Sequence, residues 1–401
     1  MPQGVGQRLP HLDLLRGIAV LGLLFMNLPS MGILEIGYVR LVPDITSDQI
    51  IVSLQAILFD GRFRSLFCLL FGIGLYLQYQ SYLRKQLNAY VILKSRVNWL
   101  FIFGLIHCIF IWPGDILIMY ALSGLYLISK LDWEANKLLK RGTIFLVIGL
   151  VIMSIEIFAT ASFSEGTLTR DSDTFKEAIG QLELGYLNTL FANFVVALIF
   201  IITFPILTLF YIGGVMLIGI GLFKSGKLQQ GFNKREIAIL AAVTILLSAF
   251  DALFAFFWPH DRQQFIGIPG TISGLTMALL VWHYVVTLNL ASRKSILNIA
   301  LQRAGKMAFT LYISQSIVMA GVFRYLMPEL AATFTMLDYT VITVSFILLQ
   351  LIFAYWYFEY FQQGPLEKMW RKLVDKKIRQ QQAQLASSAT IEQNQATQPN
   401  N

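Results

Sequence analysis

His107 and Asp115 have the residue types and the spacing that proton transfer needs. They bracket the run Cys108-Ile109-Phe110-Ile111-Trp112-Pro113-Gly114, where a tight turn at Pro113-Gly114 folds the chain back on itself. A carboxyl group brought to an imidazole in this way fixes its tautomer and leaves the other ring nitrogen as a general base. The same two residues could equally hydrogen-bond only to cap a tight helical hairpin. A second constellation is Asp13 with Arg16, whose three-residue spacing puts both side chains on one helix face. There a guanidinium held by a carboxylate would receive an anionic headgroup or a coenzyme phosphate. Alternatively the pair fixes the start and depth of the helix.

Other polar residues carry weaker signals. Arg62 and Arg64 open the second hydrophobic stretch, where they would bind the phosphate or carboxylate of a substrate, or reach lipid phosphates. Asn27 lies eleven residues beyond Arg16, about 16 Å deeper along the same helix, and would line a cavity or bridge two helices. Tyr120 follows the Asp115 turn and is a candidate substrate contact. Thr310, Tyr312, Ser314, Gln315 and Ser316 form a polar stripe of the kind that glues membrane helices together. His283, Asp251 and Glu156 read as core or cavity-lining groups. Cys68 and Cys108 offer no metal-ligand spacing, so no metal is expected.

The elements that must hold these residues are hydrophobic stretches at about 14–34, 62–80, 97–112, 115–130, 143–163, 189–223, 237–258, 270–291, 307–327 and 340–361. A chain that is 56% hydrophobic and 13% charged, with mean hydropathy +0.64, is a membrane protein and not a soluble domain. Only helices and closed barrels satisfy their backbone in a bilayer, and these runs lack the alternation of barrel strands. The expected fold is an all-α bundle of about ten transmembrane helices with both termini cytoplasmic. That orientation places 24 of the 31 basic residues inside. It leaves Arg40, Arg62, Arg64, Arg170, Lys176, Arg262 and Arg324 outside. The net charge of +8 therefore reports topology, and no nucleic-acid partner is implied.

Residues 189–223 are long for one span and are expected to form a single helix bent near Pro205. The first span lacks a small-x-small cleavage pattern at Pro29-Ser30-Met31-Gly32 and should remain as a signal anchor. Ile50–Phe59 reads as an amphipathic surface helix, and 164–187 as the largest outer loop. The expected organisation is a bundle of six spans over 1–226, four spans over 227–376, and a disordered Gln-rich tail over 377–401. No internal repeat is evident.

Five stretches resemble the YeiB-like membrane proteins, an uncharacterised bacterial family described as domain of unknown function 418. They are Leu12-Asp13-Leu14-Leu15-Arg16-Gly17 through Asn27; Phe63-Arg64-Ser65-Leu66-Phe67-Cys68 to Gly74; His107 through Asp115 to Tyr120-Ala121; Gly305-Lys306-Met307-Ala308-Phe309-Thr310 to Ser316; and Gly364-Pro365-Leu366-Glu367 to Arg371. Cys68 stands where the family usually has serine, Lys306 where arginine is common, Lys368 where an aromatic is common, and Leu311 in place of a frequent asparagine. The resemblance implies a multi-pass protein of the bacterial inner membrane.

More distantly, the Asp13-x-x-Arg16-Gly17 opening is similar to that of transmembrane acyltransferases, which move acyl groups from cytoplasmic coenzyme A to outer sugars. In the acetyltransferases of that group a reactive histidine would follow the first span, yet residues 28–60 contain none, so His107 would be a different solution. This likeness implies an acyl-group transferase with acyl-coenzyme A as donor, no permanently bound cofactor, and a small or lipid-linked acceptor. His107 and Asp115 would then be the catalytic pair, with Asp13, Arg16, Asn27, Arg62, Arg64 and Tyr120 binding substrate. Transport of a small anionic or amphipathic solute is the alternative.

Overall fold

The structure, a computed structural model, describes residues 9–31, 37–39, 41, 43, 45–163, 169–183, 185–257 and 267–396. Arg40 and Arg262, expected on the outer side, lie outside the described residues. Those described are helical, with no strand among them. In chain order the helices are α1 (Pro10–Asn27), α2 (Thr46–Leu58), α3 (Arg62–Arg84), α4 (Ala89–Phe110), α5 (Leu117–Ile128) and α6 (Ala135–Phe163). Then come α7 (Asp173–Glu183), α8 (Tyr186–Leu207), α9 (Leu209–Lys224), α10 (Lys227–Gln230), α11 (Lys234–Phe257) and α12 (Gly267–Thr287). The last are α13 (Ile296–Lys306), α14 (Ala308–Ala320), α15 (Glu329–Thr333), α16 (Met336–Tyr360) and α17 (Pro365–Ala396).

Among the described residues, seven helices are long and apolar enough to cross a membrane, or eight if α13 and α14, bent by 85° at Met307, count as one broken span. Even with the bent pair counted, two of the ten expected spans fall short of that measure. Helix α3 is long enough but its second half carries Tyr76, Gln78, Tyr79, Gln80 and Tyr82, and α5 has 12 residues, about 18 Å of rise. The bundle presents Val147, Ile155, Phe191, Ile202, Leu246, Leu253, Leu348 and Trp356 outward. Large side chains of that kind on an exterior surface suit hydrocarbon and not water.

The core gathers α1, α3, α4, α5, α9 and α12 around Leu15, Val20, Leu69, Ile73, Tyr120, Met216 and Trp282. Helices α1 and α13 meet backbone to backbone, because a methyl group on Gly17 would overlap the Leu301 carbonyl and one on Gly305 the Asp13 carbonyl. That contact sets Asp13 and Arg16 beside the α13–α14 break. Gly61 starts α3 in the left-handed region (φ 74°), a conformation that glycine adopts without strain, and its face abuts the Gly270 backbone of α12.

The long 189–223 stretch breaks into α8 and α9 at Thr208, three residues after Pro205. The segment read as an amphipathic surface helix is the helix α2, with Ile50, Leu54 and Leu58 exposed on one face and Val52 and Ala56 buried on the other. Part of the outer loop is the helix α7. The tail differs from expectation: α17 continues to Ala396. After Pro365 it holds no proline or glycine up to that residue, and its Gln, Ala, Lys and Arg are strong helix formers. Polarity alone is therefore a poor guide to disorder in this segment.

Candidate functional site

The turn between α4 and α5 brings His107 to Asp115. Nδ1 of the imidazole lies 2.8 Å from Asp115 Oδ1, and both residues are buried, at 1% and 2% exposure. Asp115 Oδ2 accepts the Ile118 N–H at 2.7 Å, capping the start of α5. Gly104 makes room for this, since a methyl group there would crowd both Ile118 N and Asp115 Oδ2. With the carboxylate as acceptor, Nδ1 carries the proton and Nε2 keeps a lone pair. Nε2 is buried and has no hydrogen-bond partner among the described residues. A buried ring nitrogen left in this state is a base in waiting or an acceptor awaiting a ligand.

The imidazole packs against Trp112 (ring centroids 6.4 Å apart) and Tyr312 (5.3 Å). Tyr312 also lines a cavity of about 280 Å³ that runs through the bundle to the end where α1 begins. Its inner wall is Leu70, Phe71, Leu100, Phe67 and Tyr120, and its mouth carries Asp13, Arg16, Gln78, Arg96, Lys306 and Glu367. His107 and Asp115 are not among the lining residues, so the cavity ends one aromatic ring short of the imidazole. The mouth opens into a wider vestibule of about 840 Å³ that shares Gln78, Arg96, Lys306, Glu367 and Trp370 with it.

The remaining sequence-predicted residues divide into two groups. Asp13, Arg16 and Tyr120 line the cavity. Arg16 Nη1 lies 3.3 Å from Asp13 Oδ1. The Tyr120 hydroxyl sits 3.1 Å from Cys68 Sγ, and its ring rests on Phe67 and Phe71. Arg62, Arg64 and Asn27 do not line the cavity. Arg62 is 3% exposed and donates to Ser248 Oγ of α11 at 2.5 Å and to the Asp60 carbonyl. Arg64 lies over the Tyr211 ring, 5.2 Å from its centroid. Asn27 ends α1. The polar stripe of α14 is helix glue: Gln315 donates to the Val20 carbonyl and to Gln350, which donates back to the Leu311 carbonyl. His283 accepts the Phe232 N–H at 3.0 Å.

Arg96, Trp370 and Glu367, where the cavity meets the vestibule, are not singled out as site residues by the sequence. Arg96 is one of the 24 basic residues assigned to the inner side, and it lies eleven residues before His107 on the same α4 face. Trp370 supports it from α17. Glu367, in the Gly-Pro-Leu-Glu box, caps α14 by accepting from Phe309 N–H (2.8 Å), Thr310 N–H (3.2 Å) and the Thr310 hydroxyl (2.6 Å). Burial pushes its carboxyl above the ordinary value, and these hydrogen bonds pull the other way.

A helical bundle with an apolar exterior and a charged-mouthed internal cavity defines a multi-span membrane protein. Comparison with known proteins narrows the class. Residues 217–377 match the family described as "Protein of unknown function (DUF418)". The chain is 26% identical to the "Uncharacterized protein YeiB" of Escherichia coli (strain K12), over 90% of its own length and 95% of that protein. It is 24% identical to the "Uncharacterized protein YxaH" of Bacillus subtilis (strain 168), over 92% and 95%. The chain thus carries the DUF418 pattern over residues 217–377 and is similar to the YeiB-like proteins along nearly its whole length. No solved structure matches it.

Proposed function

We propose that this protein transfers an acyl group within the bacterial inner membrane, from acyl-coenzyme A to a hydroxyl or amine on a small or lipid-linked acceptor. The observation that carries the reading is His107 Nε2, an orphaned buried acceptor fixed through Asp115 and separated only by the Tyr312 ring from the far end of a cavity whose mouth holds Arg16. Arg16, oriented by Asp13, meets the anionic donor. The acceptor approaches from the outer face, and His107 Nε2 takes its proton as the new bond to the acyl carbon forms. The carbon–sulfur bond breaks, and the proton passes to the departing thiolate. Tyr312 must swing aside for the cavity to reach the imidazole. Arg62 and Arg64 hold α3 in place on this reading, and the inward bias of basic residues supports cytoplasmic termini.

The test is release of free thiol from acyl-coenzyme A by the purified protein in vesicles of bacterial lipid extract, where the acceptor is present. Full activity in His107→Ala would sink the mechanism. A second reading, movement of an intact anionic solute, draws on the 85° break between α13 and α14 beside the cavity, since transporters use such discontinuous helices. Solute flux without thiol release would favour it.

A further inference from the structure

We infer that Arg96, seated on Trp370, binds a phosphate group whose attached apolar chain runs into the 280 Å³ cavity towards Tyr312. This deepens the transfer reading by naming a ligand class and its anchor. It also stands without that reading, because binding requires no chemistry at His107.

The guanidinium carbon of Arg96 lies 3.9 Å from the centroid of the Trp370 ring. The indole N–H in turn donates to Arg96's own backbone carbonyl at 3.0 Å. The ring is thereby fixed against the guanidinium, and a planar fork seated in this way suits two-point recognition of phosphate. No carboxylate lies within ion-pair distance of Arg96 among the described residues. The two carboxylates at the mouth are engaged elsewhere, Asp13 with Arg16 and Glu367 with the start of α14. Arg16 and Lys306 line the same space, so the local charge is positive where the cavity meets the vestibule. A guanidinium drawn partly out of water without a counter-ion is costly, and an anion at its edge offsets that cost.

The second half of the inference concerns shape. Beyond the cations the lining turns apolar, through Leu70, Phe71 and Leu100. Arg96 and His107 share one straight helix and one face, eleven residues and about 16 Å apart. A ligand held at both ends is therefore an extended chain with a phosphate head. A soluble phosphate ester and an anionic phospholipid both carry that chemistry.

The probe is inorganic pyrophosphate, titrated calorimetrically into the purified full-length protein in phosphatidylcholine nanodiscs. Saturable binding is expected, weakened about tenfold or more in Arg96→Gln and less in Arg96→Lys, which keeps charge but loses the fork. The Lys variant also serves if Arg96→Gln does not fold. Coenzyme A binding more tightly than pyrophosphate would identify the ester as the source, and loss of pyrophosphate binding in phosphatidylglycerol nanodiscs would identify the lipid. Absence of saturable binding to the unaltered protein, or affinity unchanged in the folded Arg96 variants, overturns the proposal. His107→Ala should keep pyrophosphate affinity whether or not it transfers acyl groups, so the two readings fail separately.

Discussion

At one end of the bundle stand Arg62 and Arg64, and at the other Arg16 and Arg96. Helices α1 and α3 run antiparallel, with Phe63 beside Gly22 and Arg16 beside Gly74, which sets the two pairs apart. The first pair is closed off by protein: Ser248, the Asp60 carbonyl and the Tyr211 ring surround it. Arg170 behaves alike, donating to the Val39 and Phe334 carbonyls. The second pair faces open space in the cavity mouth. Only an arginine whose donors face such open space has room to receive a ligand, and that property depends on partners remote in sequence.

Several substitutions would break or sharpen this contrast. The largest effect is expected for His107→Ala, which should lower thiol release about 100-fold or more while the protein remains folded in detergent. Next comes Arg62→Ala. It should reduce stability against chaotrope by about 1–3 kcal/mol, because Ser248 and the Asp60 carbonyl lose a buried partner. Pyrophosphate affinity should be unchanged in that variant. A destabilised Arg96→Gln with normal affinity would erase the distinction between the two ends.

Glu367 gives a smaller, pH-dependent effect. Because burial raises its folded-state value above the ordinary 4.5, the folded protein holds the proton more tightly than the unfolded chain. Its contribution is full below about pH 4.5 and declines as pH rises through the raised folded value. Glu367→Gln should flatten that decline in a melting series across pH. The smallest effect is expected for Asn27→Ala, which lies outside the cavity lining and should leave both pyrophosphate binding and thiol release within about twofold.

Local pattern made some of this legible. The eight-residue interval with Pro113-Gly114 predicts the His107–Asp115 contact, and the three-residue interval predicts Asp13–Arg16, because each pair lies within one turn or hairpin. The apolar runs predict the helices and the α2 face. What stayed hidden joins distant segments. Trp370 meets Arg96 across 274 residues, and Glu367 caps a helix that begins 59 residues earlier, at Ala308. The break at Met307 also stays hidden, since hydropathy averages over a turn and cannot register an 85° bend. In the polar tail, composition points to disorder whereas helix propensity favours the helix that α17 forms there.

Because Arg96 and His107 ride on a single unbroken rod, their separation works as a ruler whose scale the loops cannot alter. Adding one alanine between them would lengthen that scale by about 1.5 Å but rotate one mark by about 100° relative to the other. Chain-length preference in this protein should accordingly be written into the register of α4, and grafting or trimming surface connections would leave it untouched.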